Sequence, residues 1–235
     1  MARRVAELGL DATYSYAGRV SRPDAQPIPT RVGGFGGPDG LARYIATQGI
    51  THLIDATHPF AAQMSHNAIA AAEAAKVPLI ALLRRAWSAQ QGDRWHHARD
   101  IAHAASFLGA DRRRVFLAIG RTEIGAFATQ PQHHYLLRFV DAPSVPPPLP
   151  DHDIIVARGP FDCDADMALL QEHRIDVVVS KNAGGTGARA KIDAARALGL
   201  PVLMIDRPVL PPRNEVATVE DVLRWLSHPG TERGV

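Results

Sequence analysis

From His52 to Leu83 the chain reads HLIDATHPFAAQMSHNAIAAAEAAKVPLIALL. Within it, His52–Ala56 is a short aliphatic run ending in polar residues, Ala61–Lys76 is an alanine-rich helix former, and Pro78–Leu83 is a second aliphatic run. Strand, crossover helix and strand in about thirty residues make a βαβ unit, whose two strands are parallel.

The same alternation extends in both directions. Upstream, Asp11–Ala17 reads as a strand and Asp39–Gln48 as a helix. Downstream, strands are expected at Val115–Ile119, Tyr135–Val140, Asp153–Ala157, Asp176–Ser180 and Val202–Ile205, with helices near Thr122–Ala128, Cys163–His173, Ala188–Leu198 and Val219–Ser227. The class is therefore α/β with parallel sheets. Ser88–His97 is polar and aperiodic, which marks it as a linker between an N-terminal domain, 1–97, and a C-terminal domain, 98–235. Asp141–Pro150 carries five prolines, which argues against a central strand or helix there, and it reads as a stiff surface connection inside the second domain or, alternatively, as a hinge. A doubly wound domain opens with a central strand and a glycine-rich turn, yet Ala2–Gly9 already reads as the helix that should follow them. The first strand of the N-terminal domain is thus expected to be missing.

Composition narrows the function classes. Hydrophobic residues make up 46% and charged residues 21% of the chain, the balance of a globular protein with a sizeable core. A formal charge of +2, with basic residues scattered and no basic aromatic stripe, argues against a nucleic-acid partner. The single cysteine rules out an intrachain disulfide and any cysteine-built metal cluster, and fits a cytoplasmic setting. No run approaches the roughly 18 apolar residues of a membrane span. His96-His97 and His133-His134 are adjacent pairs whose side chains diverge on a strand, so no metal site is expected. Cys163 sits among Asp162, Asp164 and Asp166, a setting that blunts a nucleophile.

Three segments carry possible chemistry. Gly33, Gly34, Phe35, Gly36 and Gly37 precede a helix with Pro38 at its start, which lets backbone N–H groups approach an anion, although an ordinary flexible loop has the same composition. Asp55, Thr57 and His58 follow a strand, at the end where open α/β sheets place ligands. His58 is a candidate proton donor; equally, Asp55 or Thr57 is placed to cap the next helix. Lys181, Asn182, Gly184, Gly185, Thr186 and Gly187 repeat the pattern of strand, polar residues, glycine turn and helix, without the closing residues of a Walker loop. Arg121 and Arg207 also follow strands, where each is either a solvated charge or a ligand contact.

In this order, Ser15-Tyr16-Ala17-Gly18-Arg19-Val20, Arg31-Val32-Gly33-Gly34-Phe35-Gly36-Gly37, Asp55-Ala56-Thr57-His58-Pro59-Phe60-Ala61, Gly120-Arg121, Lys181-Asn182-Ala183-Gly184-Gly185-Thr186-Gly187 and Arg207-Pro208 resemble the motif set of the precorrin-6A reductases, over nearly the whole chain. The resemblance implies two Rossmann-like α/β/α domains with a ligand cleft between them, and NADPH as cofactor. The implied reaction adds hydride at C19 and a proton at C18 of a tetrapyrrole, converting precorrin-6A to precorrin-6B in cobalamin biosynthesis. On this reading Ser15, Arg19, Arg31, the glycines at 33, 34, 36 and 37 with Phe35, and the turn from Gly184 to Gly187 hold cofactor. Asp55, His58 and Lys181 are the catalytic candidates, and Thr57, Arg121, Asn182 and Arg207 bind substrate. Two alternatives stay open: the cobalt-containing substrate of the anaerobic pathway, and a non-catalytic nucleotide- or tetrapyrrole-binding protein.

Overall fold

The computed structural model describes residues 1–18 and 25–227, in two compact units: Met1–Leu83 with the chain from Leu210 onward, and Arg84–Val209. The chain starts with α1 (Ala2–Glu7), β1 (Tyr14–Tyr16) and β2 (Thr30–Val32), followed by α2 (Gly37–Thr47), β3 (Leu53–Asp55), α3 (Ala62–Ala75) and β4 (Leu79–Leu82). β1 pairs in parallel with β2, and β3 in parallel with β4. Leu41 and Ile45 of α2 pack against Ala68 and Ala71 of α3, with Phe35, Leu53 and Leu79 around them. The small side chains of α3 allow that helix pair to pack closely.

The second unit contains β5 (Arg94–Ala98), α4 (Ile101–Phe107), β6 (Arg114–Ala118), a 3₁₀ helix (Arg121–Thr129), β7 (His134–Phe139), β8 (His152–Val156), α5 (Cys163–Glu172), β9 (Val177–Lys181), α6 (Ala190–Ala197) and β10 (Pro201–Ile205). Its six strands lie in the order β5-β10-β9-β6-β7-β8, all parallel. The inner strands are apolar on both faces, as a parallel sheet covered on both sides requires: Val177, Val178 and Val179, like Val115, Phe116 and Leu117, are buried. One core gathers Trp87, Phe116, Leu136, Val178, Ile192 and Met204. The chain then returns to the first unit as β11 (Asn214–Val216), parallel to β4, and α7 (Val219–Leu226). Both units are Rossmann-like α/β with parallel sheets.

The sequence boundaries need correction. Ser88–His97 is not simply a linker, because Arg94–Ala98 is the edge strand β5, in register with β10 from Pro201 to Ile205. The division falls after Leu83 instead of after His97, and residues from Leu210 onward belong with the first unit. An edge strand is paired on one side only and buries little, so Arg-Trp-His-His-Ala carries no aliphatic signature. The expected helix near Thr122 is a 3₁₀ helix. β2, α4 and β11 are too short or too polar to announce themselves in the sequence.

Candidate active site

The first unit presents its glycine loop between β2 and α2. Gly33, Gly36 and Gly37 have φ values of 126°, 80° and 88°, where a side chain would be strained. A Cβ added at Gly34, Gly36 or Gly37 would meet nothing within 4 Å, so the loop backbone borders open space. Arg31 shapes this loop from within: its guanidinium donates to Ser15 Oγ (2.9 Å), the Gly33 carbonyl (2.9 Å) and the Gly34 carbonyl (3.2 Å). It also lies over the Phe35 ring, 3.8 Å from the centroid. Arg31, Ser15 and Phe35 are therefore a brace for the loop before they are anything to a ligand. Arg19 lies outside the described residues. The open glycine surface fits the phosphates of an anionic cofactor.

At the end of β3, Asp55 is buried and accepts from four donors. Thr57 gives it a backbone N–H (3.0 Å) and a hydroxyl (2.6 Å), Ser65 gives a hydroxyl (2.6 Å), and Arg213 gives its guanidinium. Burial alone would raise its pKa, but the hydrogen bonds from Ser65 and Thr57, helped by the Arg213 charge, hold it below the usual carboxylate range. Asp55 is thus a fixed anion, which removes it as a proton donor. The helix-cap alternative also fails, since α3 has Ala61 at its cap and no side-chain cap bond. His58 Nδ1 instead accepts the Phe60 N–H (3.2 Å), which in the neutral ring leaves the proton on Nε2. Arg213, with a side chain only 3% exposed, also reaches Glu215, while its second terminal nitrogen is buried without a hydrogen-bond partner among the described residues.

In the second unit, Lys181 at the end of β9 is ion-paired with Glu123 of the 3₁₀ helix. Asn182 is buried and spent on Trp87, accepting its backbone N–H (2.8 Å) and donating to its carbonyl (2.9 Å), while Trp87 Nε1 donates to the Gly185 carbonyl (2.7 Å). Arg207 donates to the carbonyls of Asn182 (3.0 Å), Arg84 (2.7 Å) and Ala183 (3.2 Å). Gly184 is a glycine because the backbone of Arg85 lies against it, a Cβ there falling 2.2 Å from the Arg85 carbonyl oxygen; Gly185 has a left-handed backbone, φ 73°, with the Arg84 side chain beside it, 2.6 Å from an added Cβ. Gly184 thus serves chain packing and Gly185 the turn's backbone conformation. Gly187 borders open space, and Thr186 is exposed. Arg121 donates to the Asp141 carbonyl (3.1 Å).

The family described as "Precorrin-6x reductase CbiJ/CobK" matches residues 1–227. The chain is 54% identical over its full length to a precorrin-6A reductase of Rhodobacter capsulatus, covering 94% of that protein. It belongs to the precorrin-6A reductase family. A solved structure, "CobK precorrin-6A reductase", superposes with a TM-score of 0.92 at 54% identity, covering all of this chain and 94% of that one. A cobalt-precorrin-6A reductase of Priestia megaterium is more distant, at 29% identity over 80% of this chain and 77% of that protein.

For this precorrin-6A reductase family member, the expected residues fall into separate groups. Ser15, Arg31 and Gly33–Gly37 come together in the first unit, as do Asp55 and Thr57 at the end of β3. Lys181, Asn182, Gly184, Gly185 and Arg207 surround one turn in the second. Ser65, Arg213, Glu123, Trp87 and Arg84 were missed. Ser65 lies in the first turn of α3, just beyond the Asp-Ala-Thr-His-Pro-Phe-Ala run, within reach of a pattern argument; the others are contacts made across long stretches of chain.

Proposed function

We propose that the protein reduces a C=C bond of precorrin-6A, giving precorrin-6B in cobalamin biosynthesis, with NADPH as the cofactor. The observation that carries this reading is the open glycine loop at the head of α2, braced by Arg31, in a chain that shares 54% of its residues with a precorrin-6A reductase over its full length. NADPH, when bound, supplies the hydride. The protein's own tasks are binding, orientation and delivery of one proton. The loop backbone from Gly33 to Gly37 meets the phosphates. Asp55 stays ionised and, through Thr57 and Ser65, fixes the turn that carries His58. His58 donates the proton from Nε2, the nitrogen left protonated when Nδ1 accepts from Phe60. Lys181, held at the end of β9 by its ion pair with Glu123, is a further catalytic candidate.

The metal-free substrate is favoured over the cobalt-containing one because sequence identity falls from 54% to 29% between the two named kinds of relative. The test is loss of reduced-nicotinamide absorbance on mixing the protein with precorrin-6A, run with NADPH or NADH, and again with cobalt-precorrin-6A. NADPH oxidation with precorrin-6A and conversion to the dihydro product is the expected result. Binding of both ligands without oxidation would mean a carrier in place of an enzyme, and faster turnover of the cobalt form would reverse the substrate assignment.

A further inference from the structure

The cations that the sequence offers to a polyanionic substrate are largely engaged by the protein itself. Around the carboxyl ends of the second unit's strands, Lys181 is paired with Glu123, Arg158 with Asp141, and Arg121 is turned onto the Asp141 carbonyl. Arg207 donates to three carbonyls. Arg84 differs: it is exposed, and among the described residues no carboxylate pairs with its guanidinium. Its backbone is fixed. Arg207 holds the Arg84 carbonyl, and three hydrogen bonds between Trp87 and the turn at Asn182 and Gly185 hold the segment just beyond. Its side chain is guided as well, because Gly185, at φ 73°, leaves the space in which the Arg84 stem lies. The Arg84 side chain therefore projects from a fixed backbone beside the glycine turn after β9, with a second exposed arginine, Arg85, adjacent in the chain. Neither Arg84 nor Arg85 is paired with a carboxylate among the described residues, so both forks are open to an anion, and a backbone already fixed reduces the freedom lost when one binds.

We propose that Arg84 is a substrate-recognition residue of this reductase, taking a carboxylate of the tetrapyrrole over the Gly184–Gly185 turn. The proposal rests on the functional reading above and replaces Arg207 in the role that the sequence suggested for it. Arg207 becomes the positioning residue that holds Arg84 in place. A planar fork suits a carboxylate bidentately, whereas a lysine at the same position offers only a point charge.

The full chain and its Arg84→Ala and Arg84→Lys variants are titrated separately with precorrin-6A and with NADPH, and then assayed for turnover. Arg84→Ala should weaken precorrin-6A binding on the order of tenfold to a hundredfold, the loss of one charge-assisted contact, and raise KM with kcat retained. Arg84→Lys should recover part of that loss, and NADPH affinity should stay within about twofold in both variants. Matching tryptophan emission in all three proteins checks that the Trp87 clamp is intact. An active wild type whose precorrin-6A affinity is unmoved by Arg84→Ala overturns the proposal alone. A loss confined to NADPH also overturns it, by assigning Arg84 to the cofactor's phosphates. A wild type that binds no tetrapyrrole defeats the functional reading and the proposal together.

Discussion

Replacing Lys191 with methionine should stabilise the second unit at neutral pH and remove a pH dependence that the wild type carries. Lys191 is 5% exposed, donates to the Ala188 carbonyl, and lies 5.3 Å from the centre of the Trp87 ring. Burial, reinforced by the Arg138 charge and only partly offset by Asp166, pushes its pKa down from 10.5 to about 8. Its proton is therefore bound about 3 kcal/mol more weakly in the fold than in the open chain. The folded value lies below the unfolded one, so the unfolded chain holds more protons between the two. Stability must rise with pH from about 8 to about 10.5, by up to about 1.4 kcal/mol per pH unit within that window. Methionine removes the buried charge but leaves the Ala188 carbonyl without this donor, a loss of about 1 kcal/mol. The variant should be more stable by about 2 kcal/mol at pH 7 and less stable by about 1 kcal/mol near pH 11. Urea unfolding followed by tryptophan emission, in a Trp225→Phe background so that Trp87 and Trp95 of the second unit report, gives both numbers. A difference between wild type and variant that stays flat from pH 7 to pH 10.5 would refute the argument.

Other expectations follow from single contacts. Arg213→Met should cost the first unit about 3–5 kcal/mol in chemical unfolding, because it strands the buried Asp55 charge. Since Asp55 has a depressed pKa, the stability it contributes is present above its unfolded value near 4 and lost as pH falls through its folded value, so acid unfolding of wild type and Arg213→Met should converge at low pH. Gly40→Ala raises helix propensity in α2 by about 1 kcal/mol, yet the new Cβ would fall 1.7 Å from the Phe35 carbonyl oxygen; calorimetric titration should find weaker NADPH binding, and unchanged affinity would separate this loop from the cofactor. His58→Gln should lower kcat on the order of a hundredfold or more with little change in KM, and a rate within a few-fold of wild type would take the proton from another group.

How much of this could be read from residues alone depended on the range of the interaction. The βαβ stretch from His52 to Leu83 announced itself because burying both faces of a parallel strand demands an unbroken aliphatic run, a local property. β5 escaped notice because an edge strand makes no such demand, and Arg-Trp-His-His-Ala looks like loop until Pro201–Ile205 lies beside it. The glycine loops were visible as composition, but their purposes were not. Gly34, Gly36 and Gly37 border open space, whereas Gly184 and Gly185 are filled by the segment 84–85, and both kinds look alike in a string of letters.

Charge partners show the same limit most clearly. The sequence by itself determined the parallel α/β class, the placement of Asp55, Thr57, His58, Lys181 and Asn182 at or just beyond the carboxyl ends of strands, and the impossibility of an internal disulfide. Only the tertiary structure decided that Asp55 meets Arg213, 158 positions away, that Lys181 meets Glu123, 58 away, and that Asn182 holds Trp87, 95 away. Any of the chain's many arginines could in principle have faced Asp55. Hydrophobic periodicity records which face of a segment is buried, but it carries no information about which distant segment covers that face. Selecting one partner among many like charges requires the fold to close first, because the strength of an ion pair depends on separation and burial, and neither exists until the sheets are assembled.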